Sequence, residues 1–162
     1  MNATTHPQTQ ITADPNLPTL TIVREFDATP DKVFRAHVDP ELIVQWLGPD
    51  DVAMRLDTWD PRTGGSYRYV GERDGEEFGF FGAFHEVRPN ERIVQTFTFE
   101  GVPDGVSLET ATFEALPGGR TRLTALSVVD SIEARDAMVA SGMETGVVQG
   151  YESLDDLLAN DR

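Results

Sequence analysis

Between residues 52 and 128 the chain reads as strand after strand with only tight turns between them, and no segment there could serve as a crossover helix. Parallel strands need such a crossover, so this stretch can fold only as an antiparallel meander. Its punctuation marks off the strands. Residues 52–56 lead through Pro61 and Gly64-Gly65 into 66–70, and Asp74-Gly75 is a hairpin signal because glycine tolerates positive φ. A long strand over 77–87 turns at Arg88-Pro89-Asn90 into 92–99. The loop 101–105 and the turn Pro117-Gly118-Gly119 bracket 107–116, and 121–128 closes the series. Gly79 and Gly82 are expected to let the longest strand bulge and bend, so that the sheet curls around a space.

One strand precedes the meander, because Leu20, Ile22 and Phe26 alternate with polar neighbours. It ends at Asp27-Ala28-Thr29-Pro30, where Thr29 can cap a helix and Pro30 takes the first helical position. Val33, Phe34 and His37 lie on one side of that short helix. Asp39-Pro40-Glu41 repeats the start signal for a second, carrying Leu42, Ile43 and Trp46, which Gly48-Pro49 stops. After the last strand, Asp130 or Ser131 caps a helix that runs to about Ala159, with Met143, Val147, Gly150, Leu154 and Leu157 at helical spacing. The stripe of so long a helix must be covered, and the inner face of the sheet is the large apolar surface left for it. The expected fold is α+β, a curved antiparallel sheet gripped by one long C-terminal helix. Residues 1–17 lack apolar periodicity and are expected to be a mobile tail, leaving 18–160 as one domain.

Composition narrows the function classes. Among 162 residues, 28 are acidic and 13 basic, a net charge of −15 that repels polyanions, so nucleic acid is not an expected partner. The absence of cysteine excludes disulfides, thiolate nucleophiles and cysteine-ligated metals, and makes Asn2-Ala3-Thr4 a chance match to a glycosylation site. No basic start followed by an apolar stretch reads as a secretory signal, and no apolar run could span a bilayer, so a cytoplasmic protein without membrane insertion is expected. There is no G-x-S-x-G elbow, and Ser66 has no histidine nearby in sequence. His6, His37 and His85 lack metal-binding spacing, while His85 and Glu86 are strand neighbours pointing to opposite faces. The expectation is no catalytic residue, no metal and no cofactor.

The aromatic residues are more informative. Tyr67 and Tyr69 share a strand face, as do Phe97 and Phe99, while Phe78 and Phe80 oppose Phe81. Aromatic walls with a few polar tips are the usual composition of a small-molecule pocket. The candidate ligand-binding residues are Trp46, Tyr67, Tyr69, Phe84, Phe97, Phe99, Phe113, Met143, Val147, Gly150 and Tyr151. Gly142, Gly146 and Gly150 cost a helix roughly 1 kcal/mol each relative to alanine, and small residues are expected where the helix faces the sheet or a cavity. Arg24 has the strand parity of Ile22 and Phe26 and should point inward, with Glu86 or Glu114 as its partner. Arg24, His37 and Glu86 are the candidate polar groups of the pocket.

The run R-E-F-D-A-T-P-D-K-V-F-R-A-H-V-D-P-E-L-I-V-Q-W-L-G-P over residues 24–49 resembles the opening of bacterial START-like (SRPBCC) proteins of the type named after activators of the heat-shock chaperone ATPase. Residues 57–65, G-A-F-H-E-V at 82–87 and E-R-I-V at 91–94 are similar to the family's central strands, and residues 134–158 to its C-terminal helix. The resemblance implies the helix-grip fold of the birch-pollen-allergen and lipid-transfer relatives, with a deep cavity between helix and sheet. It does not imply one activity. Relatives bind lipids, polyketides or hormones, a few catalyse cyclisation or hydrolysis, some sequester toxic natural products, and the eukaryotic namesakes stimulate a chaperone. The leading expectation is a carrier, sensor or sequestering protein for a small apolar or aromatic molecule. The alternative is a chaperone-activating interaction domain, for which 162 residues leave no room for the namesake's separate docking domain. A weaker third reading is a polyketide cyclase-type enzyme using Tyr67, Glu86 or His37 as acid or base.

Overall fold

The computed structural model describes residues 9–160. In chain order the elements are β1 (Gln10–Ala13), β2 (Thr19–Phe26), α1 (Pro30–Val38), α2 (Pro40–Trp46), β3 (Ala53–Trp59), β4 (Ser66–Arg73), β5 (Glu76–Arg88), β6 (Arg92–Phe99), β7 (Ser107–Leu116), β8 (Arg120–Val128), α3 (Ile132–Ala140) and α4 (Met143–Asn160). The strands form one antiparallel sheet in the order β1-β2-β8-β7-β6-β5-β4-β3. After β2 the two short helices carry the chain across to the far edge, and the meander β3 to β8 then returns to pair with β2. Helices α1, α2 and α4 pack on one face. There Ile22, Phe26, Phe113 and Leu123 pack with Val33, Phe34, Trp46, Leu154 and Leu158 in a single buried cluster, each large side chain contributing roughly 1.5–3 kcal/mol by leaving water.

Local signals set the element ends. Asp74 and Gly75 both have positive φ (52° and 82°), the geometry of a two-residue hairpin turn whose twist matches its strands. Asp39 caps α2 by accepting the Glu41 amide at 2.9 Å, and Ser131 caps α3 by accepting the Ala134 amide at 3.0 Å. Thr29 stands at the start of α1, but its hydroxyl goes to the Asp31 carboxylate rather than to a helix amide. Pro30 still supplies the first helical turn.

Several sequence expectations are corrected. The single long C-terminal helix is two helices: Ser141 turns its hydroxyl onto the Met138 carbonyl at 2.6 Å, and Gly142 takes φ +87°, a left-handed stop between α3 and α4. The expected tail is structured over part of its length, because β1 pairs with β2 from Gln10↔Val23 to Ala13↔Leu20. Short as it is, this strand gains backbone pairing and lays Ile11 against the core. The first eight residues, with His6 and the Asn2 pattern, lie outside the described residues. In β5 the register shifts between Phe84 and Glu86 rather than at Gly79 or Gly82. Those two glycines serve close approaches: a Cβ at Gly79 would strike the Glu100 carboxylate that pairs with Arg68 on the outer face, and one at Gly82 would strike the Thr96 carbonyl. A second register shift falls between Leu56 and Thr58 of β3.

Candidate ligand-binding site

The registers of β4, β5 and β6 bring their inward aromatic residues into line. Tyr69 lies opposite Phe80, and Phe80 opposite Phe99. The rings stack in a continuous ladder: Tyr67 on Tyr69 (5.9 Å, 15°), Tyr69 on Phe80 (5.2 Å, 27°), and Phe80 on Phe97 (5.6 Å, 20°) with Phe99 beside it (5.3 Å, 31°). Such contacts add about 0.5–1.5 kcal/mol each beyond burial. Tyr67 is fully buried at the foot of the ladder, whereas Tyr69, Phe80, Phe97 and Phe99 are only half-buried. The upper part of the ladder is therefore less fully buried than its foot.

Polar groups gather beside it. The Tyr67 hydroxyl donates to the Thr96 carbonyl at 2.6 Å, across the space that Gly82 leaves free. On β7, Glu109 lies between Gln95 of β6 and Ser127 of β8. Ser107 Oγ donates to its Oε2 at 2.7 Å and Ser127 Oγ to its Oε1 at 2.8 Å. Burial nevertheless pushes the Glu109 carboxyl up, against those two hydrogen bonds. Burial likewise pushes Tyr67, Tyr69 and Tyr151 up, and the charge of Glu109 adds to the rise of all three. Those phenols stay protonated and can act as donors.

The sequence candidates divide between this face and the core. Tyr69, Phe97 and Phe99 are on the half-buried part of the ladder, with Tyr67 beneath them. Trp46 is buried, donating its indole N–H to the Ala36 carbonyl at 2.9 Å and stacking on Tyr151. Phe113 packs against Phe34 and His37, and Phe84 against Trp59 and Tyr67. Met143 and Val147 are half-buried on α4 and touch the core cluster. Gly150 does not face the sheet: a Cβ there would lie 2.9 Å from the Trp46 carbonyl oxygen and 3.4 Å from the Gly48 amide, so its role is to let α4 close on the end of α2. Gly146 similarly meets Pro49.

The three polar candidates are also placed elsewhere. Arg24 points inward as expected, but its partner is Asp155 of α4, not Glu86 or Glu114. Glu114 pairs with Arg122. Glu86 is held near the surface by Arg88 and Arg92, and the hydrogen bond from Arg88 keeps its carboxyl below the usual range. His37 is walled in by Trp46 and Phe113, donates from Nδ1 to the Val33 carbonyl at 2.8 Å, and is lowered by burial to about 4. Phe80, Gln95 and Glu109 were missed. Glu109 had one available signal, a carboxylate on the strand face that also carries Ser107, Ala111 and Phe113.

Two depressions flank the N-terminal half of α4. One, of about 420 Å³, lies between Asp50, Arg73, Thr145 and Gln149, and the other, of about 630 Å³, between Ile11, Glu144, Val148 and Glu152. Both are polar-rimmed, and neither is lined by the ring ladder. Among the described residues no group of three His, Asp or Glu side chains is gathered to hold a metal ion, and no helix is long and apolar enough to cross a membrane.

A helix-covered, curved antiparallel sheet with this strand order defines the START-like helix-grip class. The sequence profile of the "Activator of Hsp90 ATPase homolog 1-like protein" family matches residues 27–159, and the chain belongs to that family. Its backbone is similar to that of a Rhodobacter sphaeroides protein (29% identity, TM-score 0.85, covering 94% of this chain and 99% of that one). It is also similar to protein Ms6760 from Mycobacterium smegmatis (26%, 0.84, 95% and 98%) and to an Arthrobacter aurescens protein (27%, 0.84, 93% and 91%). No curated protein matches the chain. Membership supports a ligand-binding or chaperone-ATPase-activator-like domain.

Proposed function

We propose that this protein binds a small, flat, mostly apolar molecule on the aromatic ladder of β4, β5 and β6, as a cytoplasmic carrier, sensor or sequestering protein. One observation carries the reading: four large rings, Tyr69, Phe80, Phe97 and Phe99, lie in stacked register on the inward face and are only half-buried. A core has no use for such exposure, since covering these rings would stabilise the fold. A planar ligand completes the stack, and the tyrosine hydroxyls orient it.

The test is uptake of the neutral fluorescent probe N-phenyl-1-naphthylamine, with native mass spectrometry of freshly purified protein. Saturable fluorescence enhancement is expected, reduced at least about fivefold in affinity by Phe80→Ala, which removes one stacking partner worth about 1 kcal/mol or more. A probe that stays dark with the wild type, together with a mass spectrum free of any retained small molecule, would count against ligand binding.

A further inference from the structure

Resting on that reading of the inward face, we propose that Glu109 is the polar anchor of the site and selects flat apolar ligands that carry a protonated amine. Its strand register fixes its direction. Ser107, Glu109, Ala111 and Phe113 alternate along β7, and Phe113 packs against Phe34 of α1, so Glu109 points beneath the helices rather than to bulk water. Within hydrogen-bonding reach it has two serine hydroxyls, one on each oxygen, and both serines are buried. A carboxylate accepts about four hydrogen bonds, so each oxygen keeps a lone pair for a further donor.

No cation among the described residues answers this charge. Glu25, Glu86, Glu100, Glu114 and Asp155 each pair with arginine, and Glu109 forms no ion pair there. The groups that feel its charge are Tyr67 and Tyr69 of β4 and Tyr151 of α4, all neutral. The hydroxyls of Tyr69 and Tyr151 have no hydrogen-bond partner among the described residues. A half-buried anion without a counter-charge is costly, and a ligand ammonium supplies the missing partner. The neighbouring ring faces favour a cation as well. A net charge of −15 enriches cations around the molecule, and anionic ligands meet repulsion both at the surface and at Glu109.

Three naphthalene probes of similar shape separate these terms: 1-naphthylmethylamine, 1-naphthalenemethanol and 1-naphthaleneacetate, titrated calorimetrically at pH 7 and low salt. The wild type is expected to bind the amine about tenfold or more tighter than the alcohol, as a charge-assisted hydrogen bond implies, and the acetate most weakly. Glu109→Gln should bring the amine to within about twofold of the alcohol. Equal wild-type affinity for amine and alcohol overturns the role of Glu109 but leaves the aromatic site standing. So does an amine preference that survives in Glu109→Gln. Failure of all three probes to bind overturns the ligand site itself and the anchor with it. The wild-type ratio decides by itself if the variant does not fold.

Discussion

Arg24 of β2 and Asp155 of α4 meet in a two-pronged ion pair, Nη1 to Oδ1 at 3.0 Å and Nη2 to Oδ2 at 2.7 Å, with the guanidinium only 2% exposed. The pair ties the last helix to the strand beside the sheet's β1 edge. Arg24 also donates to Thr9 and to the Glu25 carbonyl, and lies 5.0 Å from the Phe26 ring centre. Asp155→Ala would leave that guanidinium buried without its carboxylate, and an expected loss of about 3–5 kcal/mol in urea unfolding follows. Arg24→Met combined with Asp155→Leu removes both charges and is expected to recover most of that loss.

The glycines of α4 are close-approach residues, so filling them should act on stability rather than on a pocket. Gly150→Ala puts a methyl 2.9 Å from the backbone oxygen of Trp46, which has little room to move. A loss of about 1–3 kcal/mol is expected for this overpacking. Gly142 has open space around it but φ +87°, so Gly142→Ala should cost roughly 1–2 kcal/mol through backbone strain alone. Thermal melts of the two variants would reverse this assignment if Gly150→Ala were neutral.

His37 predicts acid sensitivity. Burial holds its folded-state value at about 4, below the 6.5 of an exposed imidazole, so protonation favours the unfolded chain. The neutral ring's contribution is complete above pH 6.5 and is lost progressively as pH falls toward 4, an amount of roughly 3 kcal/mol. His37→Phe should remove that part of the slope. Denaturant midpoints measured from pH 7 to pH 4 check it, and identical slopes for the two proteins would show that His37 is not buried in its neutral form.

Glu109 has the opposite sign. Burial raises its folded-state value above the ordinary 4.5, so its contribution to stability is present below pH 4.5 and is lost as pH rises through the folded value. Above that folded value the carboxylate is a burden on the fold. Glu109→Gln should therefore melt higher than wild type at pH 7, with the gap closing as pH falls toward 4.5. A lower melting temperature at pH 7 would mean that the serine hydrogen bonds outweigh the buried charge.

The meander was legible because turn chemistry is local: Asp74-Gly75 and Pro117-Gly118-Gly119 mark chain reversals wherever they stand. The two short helices were legible from Pro30 and Pro40 for the same reason. The break at Gly142 was not, because a glycine within a helical pattern can be tolerated, and only its positive φ identifies a stop. Partners across the fold were hidden as well. Parity put Arg24 inside, but nothing in the spacing of residues 24 and 155 says that they touch. The ring ladder was half legible: parity grouped Tyr67 with Tyr69 and Phe97 with Phe99, but which rings stack depends on register, and that brought in Phe80. Glu109 was not legible because a lone carboxylate on a strand reads as a solvated residue until the fold gives it two buried serine partners.

The slip in register between Leu56 and Thr58 has a consequence beyond the sheet's shape. β3 is an outermost strand, and an outermost strand offers unpaired amides and carbonyls on which another molecule can align. The slip interrupts that row at Asp57, and Arg55 and Asp57 are both exposed there. A second copy approaching edge to edge finds no unbroken template. The other outermost strand, β1, is only four residues long. One border of the sheet is thus interrupted and the other short, and both features disfavour edge-to-edge growth.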